Sequence, residues 1–174
     1  MFDKRPERMH TMPIRITPNL WFDTQAEEAA EFYCSVFPNS RIVAVSHYTE
    51  AVPSKAGMVL TVDFELDGQR ITALNGGPQF TFDEAISLLI DCKDQAEVDY
   101  YWEKLTDGGE EGPCGWVKDR YGLSWQVVPA GMDALFADGA DRDAAARAME
   151  AMFQMKKLDI AALEAAAKGE PVTS

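Results

Sequence analysis

Two helix-start signals of nearly the same composition, Thr24-Gln25-Ala26-Glu27 and Asp94-Gln95-Ala96-Glu97, stand 70 residues apart. Each has the form of a capping box, in which the first side chain and the glutamate satisfy orphan N–H groups at a helix start. An apolar run precedes each box, residues 14–22 and 85–92. An apolar helical stripe follows each: Ala26, Ala30, Tyr33, Cys34 and Phe37 in the first, Val98, Tyr101, Trp102 and Leu105 in the second. Pro38-Asn39 ends the first helix and Gly108-Gly109 the second. Antiparallel strand candidates come next. Residues 41–48, 58–66 and 69–74 follow the first helix, with strict alternation from Met58 to Leu66 and a tight turn at Asp67-Gly68. After the second helix, residues 114–118 and 123–128 flank Asp119-Arg120-Tyr121-Gly122, which reads as a hairpin. Strand, capped helix, then antiparallel strands therefore occurs twice. Such an order points to an internal duplication whose halves, each too small for its own core, pair.

In the late hairpin, Leu123, Trp125 and Val127 alternate with Ser124, Gln126 and Val128, so the two sets face opposite ways. Fewer residues separate Gly109 from this hairpin than follow the first helix, so one strand of the second half is expected to be very short or missing. Beyond Pro129 the chain turns alanine-rich. Asp141 is placed to cap a helix with an Ala145, Ala148, Met149, Met152, Phe153 stripe, expected to pack on the parent domain. A short helix from Asp159 ends at Gly169 and Pro171. The expected organisation is a disordered tail over residues 1–12, a duplicated domain over 13–130 with modules of about 13–78 and 84–130, and a helical extension over 131–174.

Charge narrows the partners. Sixteen basic residues against 29 acidic ones give a net charge of −13, which repels nucleic-acid backbones and anionic membranes. No apolar run approaches the roughly 18–20 residues of a membrane span. The opening MFDKRPERMHTM lacks the apolar core of a signal peptide, so a cytoplasmic location is expected. Cys34, Cys92 and Cys114 show no C-x-x-C spacing and read as reduced thiols.

A doubled β-α-β-β-β unit, together with the segments ITPNLWFDTQAEEAAEFYCSVFPNSRI, LDGQRITALNGGPQFTF and CGWVKDRYGLSWQVVP, resembles the PhnB-like branch of the vicinal oxygen chelate superfamily. That superfamily includes the glyoxalases and bleomycin resistance proteins, and its PhnB-like branch often carries the label 3-demethylubiquinone-9 3-methyltransferase. The resemblance implies an α+β fold in which paired modules form a cup-shaped mixed sheet with helices outside, commonly as a homodimer. It also implies a divalent-metal site with ligands on the first strand of each module and near each module's end.

The residues argue against that metal. Neither residues 16–22 nor 85–90 contain His, Glu or Asp, and the position of the usual glutamate in the late hairpin is Gln126. A neutral amide lacks the charge that offsets dehydration of a divalent cation. No metal ligand is assigned, a divalent cofactor is not expected, and no other cofactor is identified. Gln126 either bonds neighbouring backbone or orients a ligand through its amide. Asn75, before Gly76-Gly77-Pro78, serves either a turn or a ligand. Trp21, Trp116 and Trp125 offer flat surfaces near the expected mouth. Trp21, Asn75, Trp116 and Gln126 make up the candidate ligand-binding set.

Catalytic candidates are sparse. Cys114 is a possible nucleophile, although no histidine neighbours it in sequence. His47 is a possible general base and, apart from His10 in the tail, the sole histidine. Asp63 and Glu65 share one strand face, as acid/base pairs do and as solvated strands also do. The leading expectation is a metal-independent small-molecule-binding protein. The alternatives are a superfamily enzyme with an atypical metal or acid/base site, and the methyltransferase of the family label.

Overall fold

The structure is a computed structural model that describes residues 14–171. The expected tail over residues 1–12, with His10, lies outside the described residues. The first module runs β1 (Asn19–Phe22), α1 (Ala26–Val36), β2 (Arg41–His47), β3 (Val59–Leu66) and β4 (Gln69–Asn75). Its sheet has the order β1-β4-β3-β2, with β1 parallel to β4 and the other pairs antiparallel. The second module runs β5 (Leu88–Cys92), α2 (Gln95–Thr106), β6 (Glu110–Glu111), β7 (Trp116–Lys118) and β8 (Ser124–Pro129). Its order is β5-β8-β7-β6, again with one parallel pair. The two sheets are topological copies. The shortened strand expected in the second half is β6, only two residues long.

Local signals need three corrections. β1 starts at Asn19 rather than near Ile14; Pro18 has no N–H to give a strand ladder, and Ile14 and Ile16 stand in solvent. The Thr24–Glu27 box does not form. Gln25 occupies the N-cap without a capping side chain, and the first helical N–H, of Ala26, donates instead to Asn75 Oδ1 at 2.8 Å. At α2, Asp94 caps as expected, accepting from Glu97 N at 3.0 Å, while Glu97 Oε2 accepts from Lys93 N, one residue before the cap. Trp125 is the third correction. It is buried in the core, against Tyr33 and Phe37, and does not share the outward face with Trp116.

That core lies between the two sheets and contains α1 and α2. Ala26, Ala29, Ala30, Tyr33 and Val36 of α1 pack with Val62, Phe64 and Ile71 from one sheet and with Trp125 and Val127 from the other. Phe37 stacks on both Tyr101 of α2 and Trp125 of β8. The expected pairing of modules is thus achieved through helices. Each sheet spends one face on this shared interior and turns the other outward, because side chains alternate along a strand.

Past β8 come α3 (Met132–Leu135), α4 (Arg142–Met152) and α5 (Ile160–Lys168). Asp141 and Asp159 cap the last two, and Gly169 closes α5 in the left-handed conformation. Only Ala148 of the expected packing stripe is fully buried; Met149 and Phe153 are exposed. The link between α4 and α5 fastens the extension to the second module. Cys114 N donates to Met155 O and Gly115 N to Lys156 O, while Leu158 is fully buried beside Gly115. Gly115 has a φ of +82°, and an added Cβ would lie 2.7 Å from Val127 O, so only glycine fits there. Among the described residues, no helix is long and apolar enough to cross a membrane.

Candidate functional site

The outward face of the second sheet carries a continuous row. Leu89 of β5, Gln126 of β8 and Trp116 of β7 are direct register partners across three strands. Their shared face follows from the alternation that sends Trp125 and Val127 to the core. Over this row the chain beyond β8 folds back. Met132, Phe136 and Met152 add an apolar wall, forming with Trp116, Gln126 and Val128 an open cleft of about 270 Å³.

Gln126 is the polar centre of this cavity. Its Nε2 donates to Ser87 Oγ at 2.9 Å, just before β5. Among the described residues no donor reaches its Oε1, which leaves a carbonyl acceptor free in the cavity. Asp91 and Asp133 line the same cavity. A site with one oriented amide and mostly apolar walls suits an organic molecule bearing an N–H or O–H donor.

Of the four ligand-binding candidates, Trp116 and Gln126 come together and the other two lie in the first sheet. Trp21 donates from Nε1 to Gly77 O at 2.8 Å and packs edge-on against Phe80. Its ring covers Gly76 so closely that a Cβ there would lie 2.2 Å from the indole. Asn75 is buried, and both ends of its amide are engaged, Oδ1 by Ala26 N and Nδ2 with Val59 O at 3.1 Å. Tyr48 Oη donates to the Asn75 carbonyl at 2.7 Å. This residue ties β4 to α1 and β3.

The catalytic candidates are scattered. Cys114 borders the Gln126 cavity, and its thiol faces Met152 O at 3.6 Å. His47 is exposed at the end of β2, in the other sheet, so no Cys–His pair forms. Asp63 and Glu65 do share a strand face, yet each has its own partner. Thr72 Oγ1 donates to Asp63 Oδ1 at 2.6 Å, and Arg41 holds Glu65 Oε2 through Nε and Nη2.

A catalytic divalent ion fits this set poorly. Gln126 is flanked in its row by Leu89 and Trp116, neither a ligand. Among the described residues no three His, Cys, Asp or Glu side chains converge on a point that could hold a metal ion. Divalent sites of this kind need charged or imidazole donors to replace the hydration shell.

Residues 14–128 match the 3-demethylubiquinone-9 3-methyltransferase family. The chain belongs to that family. A solved structure from Bacillus cereus, described as a putative 3-demethylubiquinone-9 3-methyltransferase, PhnB protein, is 36% identical with a TM-score of 0.60. The similarity covers 67% of this chain and all of that one. Protein PA1353 of Pseudomonas aeruginosa is 18% identical with a TM-score of 0.57, over 68% of this chain and 98% of that one. The fosfomycin resistance protein FosX of Listeria monocytogenes, solved with Mn(II) and sulfate, has a TM-score of 0.50. It is 17% identical, over 73% of this chain and 100% of that one. The two more distant neighbours show the fold alone, that of the glyoxalase/bleomycin resistance proteins; the family match and the 36% identical PhnB structure place the chain in the PhnB-like family of the vicinal oxygen chelate superfamily. No curated protein matches the chain. The family match ends at residue 128, so the Met132, Phe136 and Met152 wall is an addition to the family's part of the chain.

Several site residues escaped the sequence reading. Met132 and Phe136 carry no periodic signal in so short a helix, and Met152 read as packing. Ser87 had no motif. Asp119, which anchors the hairpin bearing Trp116 and Gln126, was visible only as the first residue of a polar turn.

Proposed function

We propose that this family member binds a small organic molecule over Gln126, between the outward face of the second sheet and the C-terminal helices, without a resident catalytic metal. The observation that carries this reading is the open Gln126 Oε1 set among Trp116, Val128, Met132, Phe136 and Met152. The ligand class that suits it has an apolar body and one N–H or O–H donor. An excess of acidic residues, 29 against 16, argues that neither nucleic acid nor an anionic membrane is the partner. Three free cysteines accord with a reducing, cytoplasmic location.

A homodimer belongs to the same proposal. The two outward sheet faces of one chain point away from a common core, so a second copy is needed to set one module's open face opposite another's. Strand β2 lies at a sheet edge and exposes Ile42, Val43 and Val45.

The methyltransferase activity in the family's name finds no support in the backbone. A nucleotide-derived donor typically rests on a glycine-rich strand-to-helix turn of a parallel sheet. The turns from β1 to α1 and from β5 to α2 contain no glycine, and Gly76-Gly77 packs beneath Trp21.

The test is to purify the protein without chelators, measure its metal content, and screen donor-bearing aromatic fragments by ligand-observed NMR. Fragment binding that weakens at least tenfold in Gln126→Ala, with no stoichiometric metal, is the expected result. Stoichiometric metal lost on Gln126→Ala would favour an atypical superfamily enzyme instead. A rise in melting temperature with S-adenosylmethionine would restore the methyltransferase reading.

A further inference from the structure

Residues 131–140, which join the second sheet to α4 and contain α3, are held at their two ends and hardly between them. None of them is buried, and only Met132, Leu135 and Ala140 are half-buried. Among the described residues, the hydrogen bonds they make stay within the segment, as from Phe136 N to Asp133 O and from Ala140 N to Ala137 O, both at 3.1 Å. The ends are fixed. Ala130 N donates to Cys92 O at 2.8 Å. On the other side Asp141 caps α4, and Arg147 of α4 donates to the carbonyls of Ala166 and Ala167 in α5.

Unfilled space surrounds the same stretch. Met132 and Leu135 share a cleft of about 200 Å³ with Ile160 and Leu163 of α5. Phe136 shares another, of about 380 Å³, with Ala145 and Met149 of α4. The third is the Gln126 cleft, walled by Met132 and Phe136. Side chains facing voids forfeit dispersion contacts, and a stretch with no buried residue and no outside bond belongs to the low-stability end of a fold. Gly131 and Gly139 bracket α3 with φ of +79° and +93°, and a Cβ at either would meet no atom within 4 Å. Space does not require glycine at these two positions; the left-handed backbone does.

We propose that residues 131–140 are a hinged strap, turning about Gly131 and Gly139, that gates access to the Gln126 cleft. Toward Trp116 it sets Met132 and Phe136 over the cleft. Toward α5 it moves into the 200 Å³ space and uncovers Gln126. An apolar body bound over Gln126 gives Met132 and Phe136 a contact they otherwise lack, and so favours the closed position. That last step rests on the reading of the Gln126 cleft as a binding site; the motion itself does not.

Cys114 reports the gate, because it borders the same cleft. The native chain is treated with an aromatic disulfide reagent, and peptide mapping gives the rates at Cys114 and, as control, at Cys34 in α1. Gly131→Ala combined with Gly139→Ala disfavours the left-handed strap and should speed Cys114 labelling at least about threefold. Cys34 labelling and the melting temperature should not change, since no buried residue is touched. Asparagine at both positions tolerates the left-handed backbone and should restore a rate near that of the wild type. In hydrogen exchange, the amides of 131–140 should exchange at least about 100-fold faster than those of α4 and α5. Saturating indole, an aromatic N–H donor, should slow strap exchange and Cys114 labelling in the wild type and not in Gln126→Ala. Strap amides as slow as those of α4 and α5, or a Cys114 rate indifferent to the alanine pair, would overturn the gate. If both of those results hold and indole has no effect, the gate stands and the reading of Gln126 as a ligand contact falls.

Discussion

Tyr33 Oη donates a hydrogen bond to Asp119 Oδ2 at 2.8 Å, across 86 residues of chain. Tyr33 belongs to α1 of the first module, and Asp119 opens the turn between β7 and β8 of the second. The same carboxylate oxygen accepts from Trp125 Nε1 at 2.8 Å, and Oδ1 accepts from the N–H groups of Tyr121 and Leu123. One buried side chain thus shapes the hairpin that carries Trp116 and Gln126 and fastens it to the other module. Asp119→Ala leaves four donors without their acceptor and should cost about 3 kcal/mol or more. Tyr33→Phe removes one donor of four and should cost about 1 kcal/mol. Urea unfolding of both variants checks the ranking; equal losses would mean that the carboxylate is no hub.

The same group should leave a signature in pH. Burial pushes the Asp119 carboxyl above the ordinary carboxylate range, while bonds from Trp125, Tyr33 and the N–H groups of Tyr121 and Leu123 pull against it. A raised value means that the folded state holds this proton more tightly than the unfolded chain. The contribution is fully present below the unfolded value of about 3.9 and is lost as pH rises through the folded value. Wild-type stability relative to Asp119→Asn should therefore fall with rising pH across that window. Denaturant midpoints of the pair, compared from mildly acidic to neutral pH, measure it, and a difference that grows with pH would reverse the assignment.

Helix α1 gives a contrast between a local and a distant cap. Asn75→Ala removes the acceptor of Ala26 N and the donor to Val59 O in a buried setting. It should cost about 2 kcal/mol. Thr24→Ala should cost no more than about 0.5 kcal/mol, because that side chain caps nothing. At α2, Asp94→Ala should cost about 1 kcal/mol, since Asp94 does accept from Glu97 N. Thermal melts of the three variants test the order.

These helix starts also mark how far local pattern reaches. The alternation of Val62, Phe64 and Leu66, the Asp67-Gly68 turn with both residues at positive φ, and the Asp141 and Asp159 caps are all encoded within a few neighbours. Each was legible because periods of 2 and 3.6 residues are properties of the backbone itself. The Thr24 box had the right letters, but the helix starts one residue later with Gln25 at the N-cap, and its first N–H, of Ala26, is taken by Asn75 from 49 residues away. The row of Leu89, Gln126 and Trp116 was half legible: alternation put Gln126 on the non-core face, and register alone supplied its neighbours. Met132, Phe136 and Met152 reach the cavity through a fold-back of the chain that no local period records.

Cysteine chemistry should separate by position. Cys92 is fully buried, and its thiol is pushed up to about 12, first by burial and then by the nearby carboxylates of Glu97, Asp91 and Asp94. At pH 8 roughly one such thiol in ten thousand is ionised, and the thiolate is the reactive form. An aromatic disulfide reagent applied to the native protein should leave Cys92 unmodified and label it on denaturation. Peptide mapping identifies the site. Rapid native labelling of Cys92 would show that β5 opens easily.

The proposed dimer makes the last prediction. β2 is an edge strand whose seven residues are all exposed, with Ile42, Val43 and Val45 each 37–38% accessible. Leu89 of the outward row and Ile86 beside it are exposed at 55% and 61%. Long apolar edges invite pairing with another chain unless charge or cover protects them, and β2 has no lysine. Sedimentation velocity at micromolar concentration should give a mass near twice that of the chain. Val43→Lys places a charge on this edge and should weaken self-association by about tenfold or more while sparing the fold, since an exposed strand residue contributes little to the core. A wild-type protein that sediments as a monomer throughout would leave β2 and the outward sheet faces free, and the dimer would be withdrawn.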